Sequence, residues 1–367
     1  VRVTFPHMGT LWIVVKTLFE AIGQDVVVPP PITQKTIALG VRHSPEMACF
    51  PLKVNMGNFI EGLERGADTI LMAGGSGPCR FGYYAQVQRE ILKDLGYSFN
   101  MIAVDPPDGD WRTFWARLRP LLRGKQPGWK EGLETALLVW EKLKALDDVH
   151  HLVLETRPFE KRSGAVTRCH DLFLREMAEL RDRKAVRRLT AETRTEMSSL
   201  REAGKNPLRV AMLGEIYMCL EPAVNMHLEK LLGEMGVYVE RTIYLSHWLR
   251  DHILADPRRI LARRSFKKCA SRYLDHFVGG HGWESVGKTV RYAREGFDGV
   301  VHLLPFTCGP EVIAQGILLR VSRDYDIPVL SLSMDEHSSE TGLLTRLETF
   351  VDMLSQRRTG RRAELCT

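Results

Sequence analysis

Apolar positions along the first hundred residues follow two alternating periods. Val1–Phe5, Asp25–Val28, Asp68–Ala73 and Asn100–Val104 are short runs rich in β-branched residues and read as strands. Thr10–Ile22, Phe50–Arg65 and Tyr83–Leu95 between them space their apolar residues as amphipathic helices do. Strand–helix alternation with short connections predicts a parallel sheet covered on both faces. From about Asp110 to Lys205 the strand signals vanish, the apolar spacing turns helical and charges crowd in, as at Arg181-Asp-Arg-Lys184. The alternation returns with strands expected over Leu208–Gly214, Val237–Tyr244, Gly299–Phe306 and Ile327–Met334. The fold class is therefore α/β, with two parallel-sheet domains facing each other and a helical insert between them. The expected boundaries are 1–107 for the first α/β domain, 108–206 for the helical linking region, 207–357 for the second α/β domain and 358–367 for a basic tail. The chain beyond Leu354 is expected to fray.

The two α/β halves resemble each other. Asp68-Thr-Ile-Leu-Met-Ala leads through a glycine-rich loop to Cys79, then a helix, then a strand ending at Asp105; Asp298-Gly-Val-Val-His-Leu leads likewise to Cys308 and on to Asp335. Cys79 lies 11 residues after its Asp and 26 before the next, and Cys308 lies 10 after and 27 before. Each leading Asp follows a helix ending in glycine, Gly66 or Gly296, and the halves open alike with Arg2-Val-Thr-Phe and Arg209-Val-Ala-Met. Both cysteines thus fall in a strand-to-helix loop at the carboxyl edge of a sheet, where open α/β sheets bind ligands.

Composition adds limits. Hydrophobic residues make up 44% and charged residues 26% of the 367, which excludes global disorder and fibrous repeats. A net charge of +6 is too mild for this length to imply nucleic acid. Leu11–Ile22, broken by Lys16 and Glu20, is too short and too charged to span a bilayer. Seven cysteines at low density do not make a secreted disulfide scaffold, and the chain reads as soluble and cytoplasmic.

Three cysteines share one context. Cys49 in Ser44-Pro-Glu-Met-Ala-Cys49-Phe-Pro51, Cys79 in Gly74-Gly-Ser-Gly-Pro-Cys79 and Cys308 in Phe306-Thr-Cys308-Gly-Pro310 each stand at a helix start beside Gly or Pro. Free N–H groups and the helix dipole favour a thiolate there. Thiolates contributed by two domains suit a soft metal, and an iron–sulfur cluster fits best. Cys219, after the first strand of the second half, is a further neighbour or ligand candidate. Cys169, Cys269 and Cys366 lie in charged helical or tail sequence and read as structural. No C-x-x-C pair exists, which argues against ferredoxin-type loops and ribbon zinc sites; three thiolates without a fourth strong ligand suit zinc poorly.

Two further patterns dissolve on inspection. Gly282-Trp-Glu-Ser-Val-Gly287-Lys288-Thr289 matches the phosphate-loop pattern, but Asp275-His-Phe-Val-Gly-Gly-His281 ahead of it is no buried strand. A glycine-rich turn capping a helix is the better reading. The basic helical stretch from Arg157 to Arg209 has no aromatic interleaving and reads as a solvated, mixed-charge face rather than a nucleic-acid surface.

Ala48-Cys49-Phe-Pro-Leu-Lys53, Gly77-Pro-Cys79-Arg-Phe-Gly-Tyr-Tyr84, Pro305-Phe-Thr-Cys308-Gly-Pro-Glu311 and Asp335-Glu-His337 together resemble the 2-hydroxyacyl-CoA dehydratase D-component-like family, in its CoA-activase-related branch. The similarity spans the α/β framework from Pro6-His-Met-Gly9 to Leu344-Thr-Arg-Leu-Glu348. It implies two Rossmann-like domains holding a [4Fe–4S] cluster through Cys49, Cys79 and Cys308, with one iron open; a double-cubane cluster would want more cysteines. It also implies, as partners, an actin-like ATPase activator with its own iron–sulfur cluster and a homo- or heterodimer with a related subunit, in anaerobic metabolism. The activator's Asp-x-Gly-Ser/Thr phosphate loops are absent here, so the resemblance casts this chain as the electron acceptor. His7, Glu46, Glu336 and His337, near sheet-edge loops, are the candidates for proton handling. Two functions follow: a cluster with an open iron that reduces a small substrate or starts a radical elimination, or a non-catalytic electron carrier or cluster scaffold that binds a partner protein.

Overall fold

The computed structural model describes residues 1–75, 77–105, 110–122, 128–204, 206–252 and 257–365. Among the described residues the β-branched runs form eight strands in two four-stranded sheets, and every strand pairing within the sheets is parallel. The first holds β1 (Arg2–Thr4), β2 (Asp25–Val26), β3 (Thr69–Ala73) and β4 (Asn100–Val104) in the order β2-β1-β3-β4. The second holds β5 (Leu208–Gly214), β6 (Val237–Arg241), β7 (Gly299–Pro305) and β8 (Val329–Met334) in the order β6-β5-β7-β8. The topology is the same in both, so the duplication read from the sequence is a duplication of fold. The chain divides into two compact units, one of Val1–Asp147, Leu174–Leu189 and Leu245–Arg259, the other of Asp148–Phe173, Thr190–Tyr244 and Ile260–Thr367.

In the first unit α1 (Leu11–Ala21), α2 (Gln34–His43), α3 (Phe50–Glu64) and α4 (Tyr84–Asp94) connect the strands. Helix α3 is buried from Phe50 to Leu63, so its amphipathic pattern is weak and it serves as the core helix of the unit. Leu52, Met56, Phe59 and Ile60 pack there with Ile70 and Met72 of β3 and with Tyr84 and Leu92 of α4. Helix α2 had no counterpart in the sequence reading. Thr33 caps it in a reciprocal box with Thr36, Thr33 Oγ1 accepting from the Thr36 N–H and the Thr33 N–H donating to Thr36 Oγ1 at 3.1 Å. It lies backbone to backbone on α3: a Cβ on Gly40 would sit 1.7 Å from the Lys53 carbonyl oxygen, and one on Gly57 2.0 Å from that of Thr36. Glycine at both positions is what lets the two helices touch.

Between β4 and β5 along the chain come only helices among the described residues, apart from an isolated Glu160–Arg201 bridge: α5 (Trp111–Leu118), α6 (Trp129–Thr156), α7 (Ala165–Glu179) and α8 (Arg183–Ser199). The second unit's strands are joined by α9 (Ile216–Leu220), α10 (Leu228–Glu234), α11 (Leu245–His252), α12 (Pro257–Ala270), α13 (Gly282–Arg294) and α14 (Gly309–Tyr325), with α11 and the start of α12 grouped with the first unit. Strands β5 and β7 are almost wholly buried. The last helix, α15, runs Glu340–Leu365, which corrects the expectation of fraying after Leu354. Arg357 pairs with Asp326 at 2.6 Å, and Arg358 donates to the carbonyl of Pro207 at 2.9 Å, so the tail's charges tie it down. No described helix is long and apolar enough to cross a membrane.

Candidate functional site

In the first unit, Cys49 is the N-cap of α3, with extended backbone (φ −68°, ψ 148°) and Pro51 in the first turn. Cys79 caps the 3-10 turn Arg80–Tyr83 in a like conformation (φ −72°, ψ 130°). Neither side chain is spent on capping its own helix. The Cys49 thiol is buried and hydrogen-bonded to the hydroxyl of Tyr84, the first residue of α4. Tyr84 stacks edge-on against Phe81 of the Cys79 turn, ring centres 5.1 Å apart. Gln88, one turn along α4, donates to the Leu52 carbonyl at 3.1 Å and fixes α4 against α3. Arg80 donates to the Met47 carbonyl at 3.0 Å, joining the Cys79 turn to the loop before Cys49. Beside Cys49 runs an apolar groove of about 300 Å³, walled by Leu52, Tyr83, Tyr84 and Val87.

The second unit repeats the device. Cys308 caps α14 (φ −73°, ψ 104°), with Pro310 in the first turn and its thiol unused by the helix. Thr307 before it takes a left-handed φ of 66°, the sharp corner between β7 and α14. Behind the corner lies a polar chain whose Glu311, His302 and Ser285 are buried. Glu311, in the first turn of α14, accepts from His302 Nε2 at 2.8 Å and from Ser285 Oγ at 2.9 Å on the same oxygen. His302 Nδ1 lies 3.2 Å from Ser331 Oγ on β8. Glu311 Oε1 has no hydrogen-bond partner among the described residues. Glu215 after β5 accepts from the Met218 N–H at 2.9 Å as the cap of α9. Burial, with the Glu311 carboxylate nearby, pushes its carboxyl up to about 7. Cys219 on α9 is 1% exposed, and burial with Glu215, Glu311 and Glu229 around it pushes its thiol well above the usual range.

The proton-handling candidates all stand in loops. His7 follows β1, with its N–H on Asn58 Oδ1 at 3.1 Å; Glu46 is exposed in the turn before α3; Glu336 and His337 follow β8, the His337 N–H on Asp335 Oδ1 at 3.0 Å. Cys169 is buried on α7 among Val153, Val166 and Met197, and burial pushes its thiol up to about 12. Cys269 is half-buried on α12, and Cys366 lies outside the described residues. Cys49 and Cys79 belong to the first unit and Cys308 to the second; among the described residues no three His, Cys, Asp or Glu side chains are gathered as a ready ion site. The phosphate-loop letters lie inside α13. Lys288, a residue of that helix, is buried and spends its ammonium on Glu284 and the Thr242 carbonyl, both at 3.2 Å. No glycine loop exists there to cradle a phosphate. Sequence reading did not single out Tyr84, His302, Glu311 or Glu215. Glu311 stands within the Cys308 motif and Tyr84 within the Cys79 motif, and that proximity was the available signal.

The duplicated α/β fold with cysteines at its strand-to-helix corners has a counterpart among known families. The family described as 2-hydroxyglutaryl-CoA dehydratase, D-component, matches residues 168–354, about half of the chain, and an uncharacterised domain of CoA enzyme activases matches residues 7–73. The chain belongs to the 2-hydroxyglutaryl-CoA dehydratase D-component family. A search among curated proteins finds no match.

Proposed function

We propose that this chain is the cluster-bearing component of a 2-hydroxyacyl-CoA dehydratase-like system, holding a [4Fe–4S] cluster through Cys49, Cys79 and Cys308 and receiving its electron from an ATPase activator. The observation that carries the reading is the shared setting of the three cysteines. Each is the N-cap of a helical segment, each has extended backbone and none caps with its own sulfur. First-turn N–H groups favour the thiolate that iron requires, so the donor set fits the group. Cys219 stands inside α9, whose N-cap is Glu215, so it lacks the helix-start setting of the other three and is read as a neighbour.

When bound, such a cluster supplies a one-electron donor and a Lewis-acidic iron. The chain's own residues set the surroundings. The Ser331–His302–Glu311–Ser285 chain, buried from His302 to Ser285, fixes the first turn of α14 behind Cys308. The groove beside Cys49 offers an apolar wall, and burial raises the Glu215 carboxyl to about 7. His7, Glu46, Glu336 and His337 are the loop groups assigned to proton exchange with solvent. The test is anaerobic purification followed by iron and acid-labile sulfide analysis. About four of each per chain supports the reading; a protein that takes up neither after reconstitution refutes it.

A further inference from the structure

Tyr84 touches both cysteine-bearing segments of the first unit. Its oxygen hydrogen-bonds Cys49 Sγ, and its ring packs edge-on against Phe81, two residues beyond Cys79. The side chain is 4% exposed, so the phenol is desolvated and its hydroxyl needs a partner within the protein. The Gln88–Leu52 bond at 3.1 Å holds α4 on α3, which leaves the approach of Tyr84 to Cys49 fixed by packed helices rather than by a free rotamer. A hydroxyl beside a metal-bound thiolate can only donate, because that sulfur carries no proton. Donation draws charge off the sulfur and favours the reduced, more negative state of a cluster.

Resting on the cluster assignment above, we propose that Tyr84 is a positioning residue of that site: its phenol donates to Cys49 Sγ and raises the cluster's reduction potential, while its ring steadies the Cys79 turn. Nothing in the sequence motif separates this role from simple core packing; the sulfur–hydroxyl contact does.

The experiment is an anaerobic redox titration of the loaded full chain, followed by electron paramagnetic resonance, on wild type, Tyr84→Phe and protein carrying 3,5-difluorotyrosine at position 84. Phenylalanine keeps the ring against Phe81 and removes the oxygen alone; fluorination makes the phenol a stronger donor. The expected result is equal iron and sulfide content, a lower midpoint potential for Tyr84→Phe and a higher one for the fluorinated protein. If Tyr84→Phe fails to load, the fluorinated protein decides the matter by the sign of its shift. Potentials that do not move, or that move in the opposite directions, overturn the proposal and leave the cluster assignment standing. A wild-type chain that takes up no cluster overturns both, and the iron analysis shows that before any titration.

Discussion

The carboxylate of Asp298 accepts a hydrogen bond from the backbone N–H of Arg209 at 2.7 Å, clamping the start of β5 beside the start of β7. The Asp298 N–H returns to the Arg209 carbonyl at 2.9 Å. In the other sheet Asp68 makes the same pair of bonds with Arg2, at 3.1 and 3.0 Å. Each Arg side chain then reaches back to a carbonyl at the end of the preceding helix, Arg209 to Glu295 and Arg2 to Arg65. The Asp–Arg correspondence between the two halves is thus a working clamp that sets the register of two central strands.

Asp298→Ala removes the carboxylate and leaves the Arg209 N–H without its side-chain acceptor. The expected loss is about 1–2 kcal/mol of stability, read as a lower urea midpoint with unchanged slope, and Asp298→Asn recovers part of it. An alanine variant as stable as wild type contradicts the clamp.

Lys288 is a buried helix residue, not a phosphate ligand. Isothermal titration with Mg-ATP is expected to show no binding by this chain, in wild type and in Lys288→Met alike, while the substitution lowers the melting temperature by leaving Glu284 and the Thr242 carbonyl unpartnered by the ammonium. Tight ATP binding that Lys288→Met abolishes would contradict this assignment.

His170 on α7 is pushed down to about 3, chiefly by burial and then by the neighbouring His150, Arg157 and Arg241, with Glu229 opposing them. Its Nε2 has no hydrogen-bond partner among the described residues. The unfolded chain therefore binds a proton below about pH 6.5 that the folded chain refuses until near pH 3. Stability is expected to fall as pH drops through that window. His170→Gln, which cannot titrate, should flatten the fall measured by urea unfolding; an unchanged slope contradicts it.

Lys142 on α6 gives the opposite limb. It is fully buried, donates to Thr17 Oγ1 at 2.9 Å, and is pushed down to about 8 by burial and then by Arg181. The unfolded side chain keeps its proton to about pH 10.4, so the folded state gains relative stability as pH rises from about 8 to that value. Lys142→Met should remove this component of the alkaline pH dependence. A variant whose stability still rises with the wild-type slope contradicts the assignment.

The strands were legible because β-branched runs bounded by Gly, Pro and Asp have few other uses. Leu208–Gly214 and Asn100–Val104 match residue for residue, while β2 closes after Val26 and β6 after Arg241. Helix α2 was not legible: it follows Pro29-Pro30-Pro31, its cap closes on Thr36 rather than Glu or Gln, and Gly40 interrupts its apolar face. The cysteine corners could be read from their Gly and Pro flanks, which mark helix starts wherever they occur. What surrounds the sulfurs could not be read. Tyr84 stands 35 residues from Cys49, and His302 and Glu311 meet only because α14 folds back on β7. The phosphate-loop letters fail for a related reason, since helix α13 uses the two glycines for close packing, Gly282 on Pro310 and Gly287 on Phe266.

The central claim rests on which cysteines bind iron, and one measurement addresses it most directly. Wild type, Cys79→Ala, Cys308→Ala, Cys219→Ala and Cys169→Ala are each reconstituted anaerobically with iron and sulfide, and the cluster is read from its visible absorption and its electron paramagnetic resonance signal after reduction. The account predicts a cluster in wild type and Cys169→Ala, none that is stable in Cys79→Ala or Cys308→Ala, and a retained cluster in Cys219→Ala whose signal changes on adding cyanide, the mark of an open iron. A cluster lost from Cys219→Ala would point to four-cysteine ligation and an electron carrier. Cys79→Ala and Cys308→Ala proteins that hold the cluster as wild type does, or a wild type that holds none, would contradict the account.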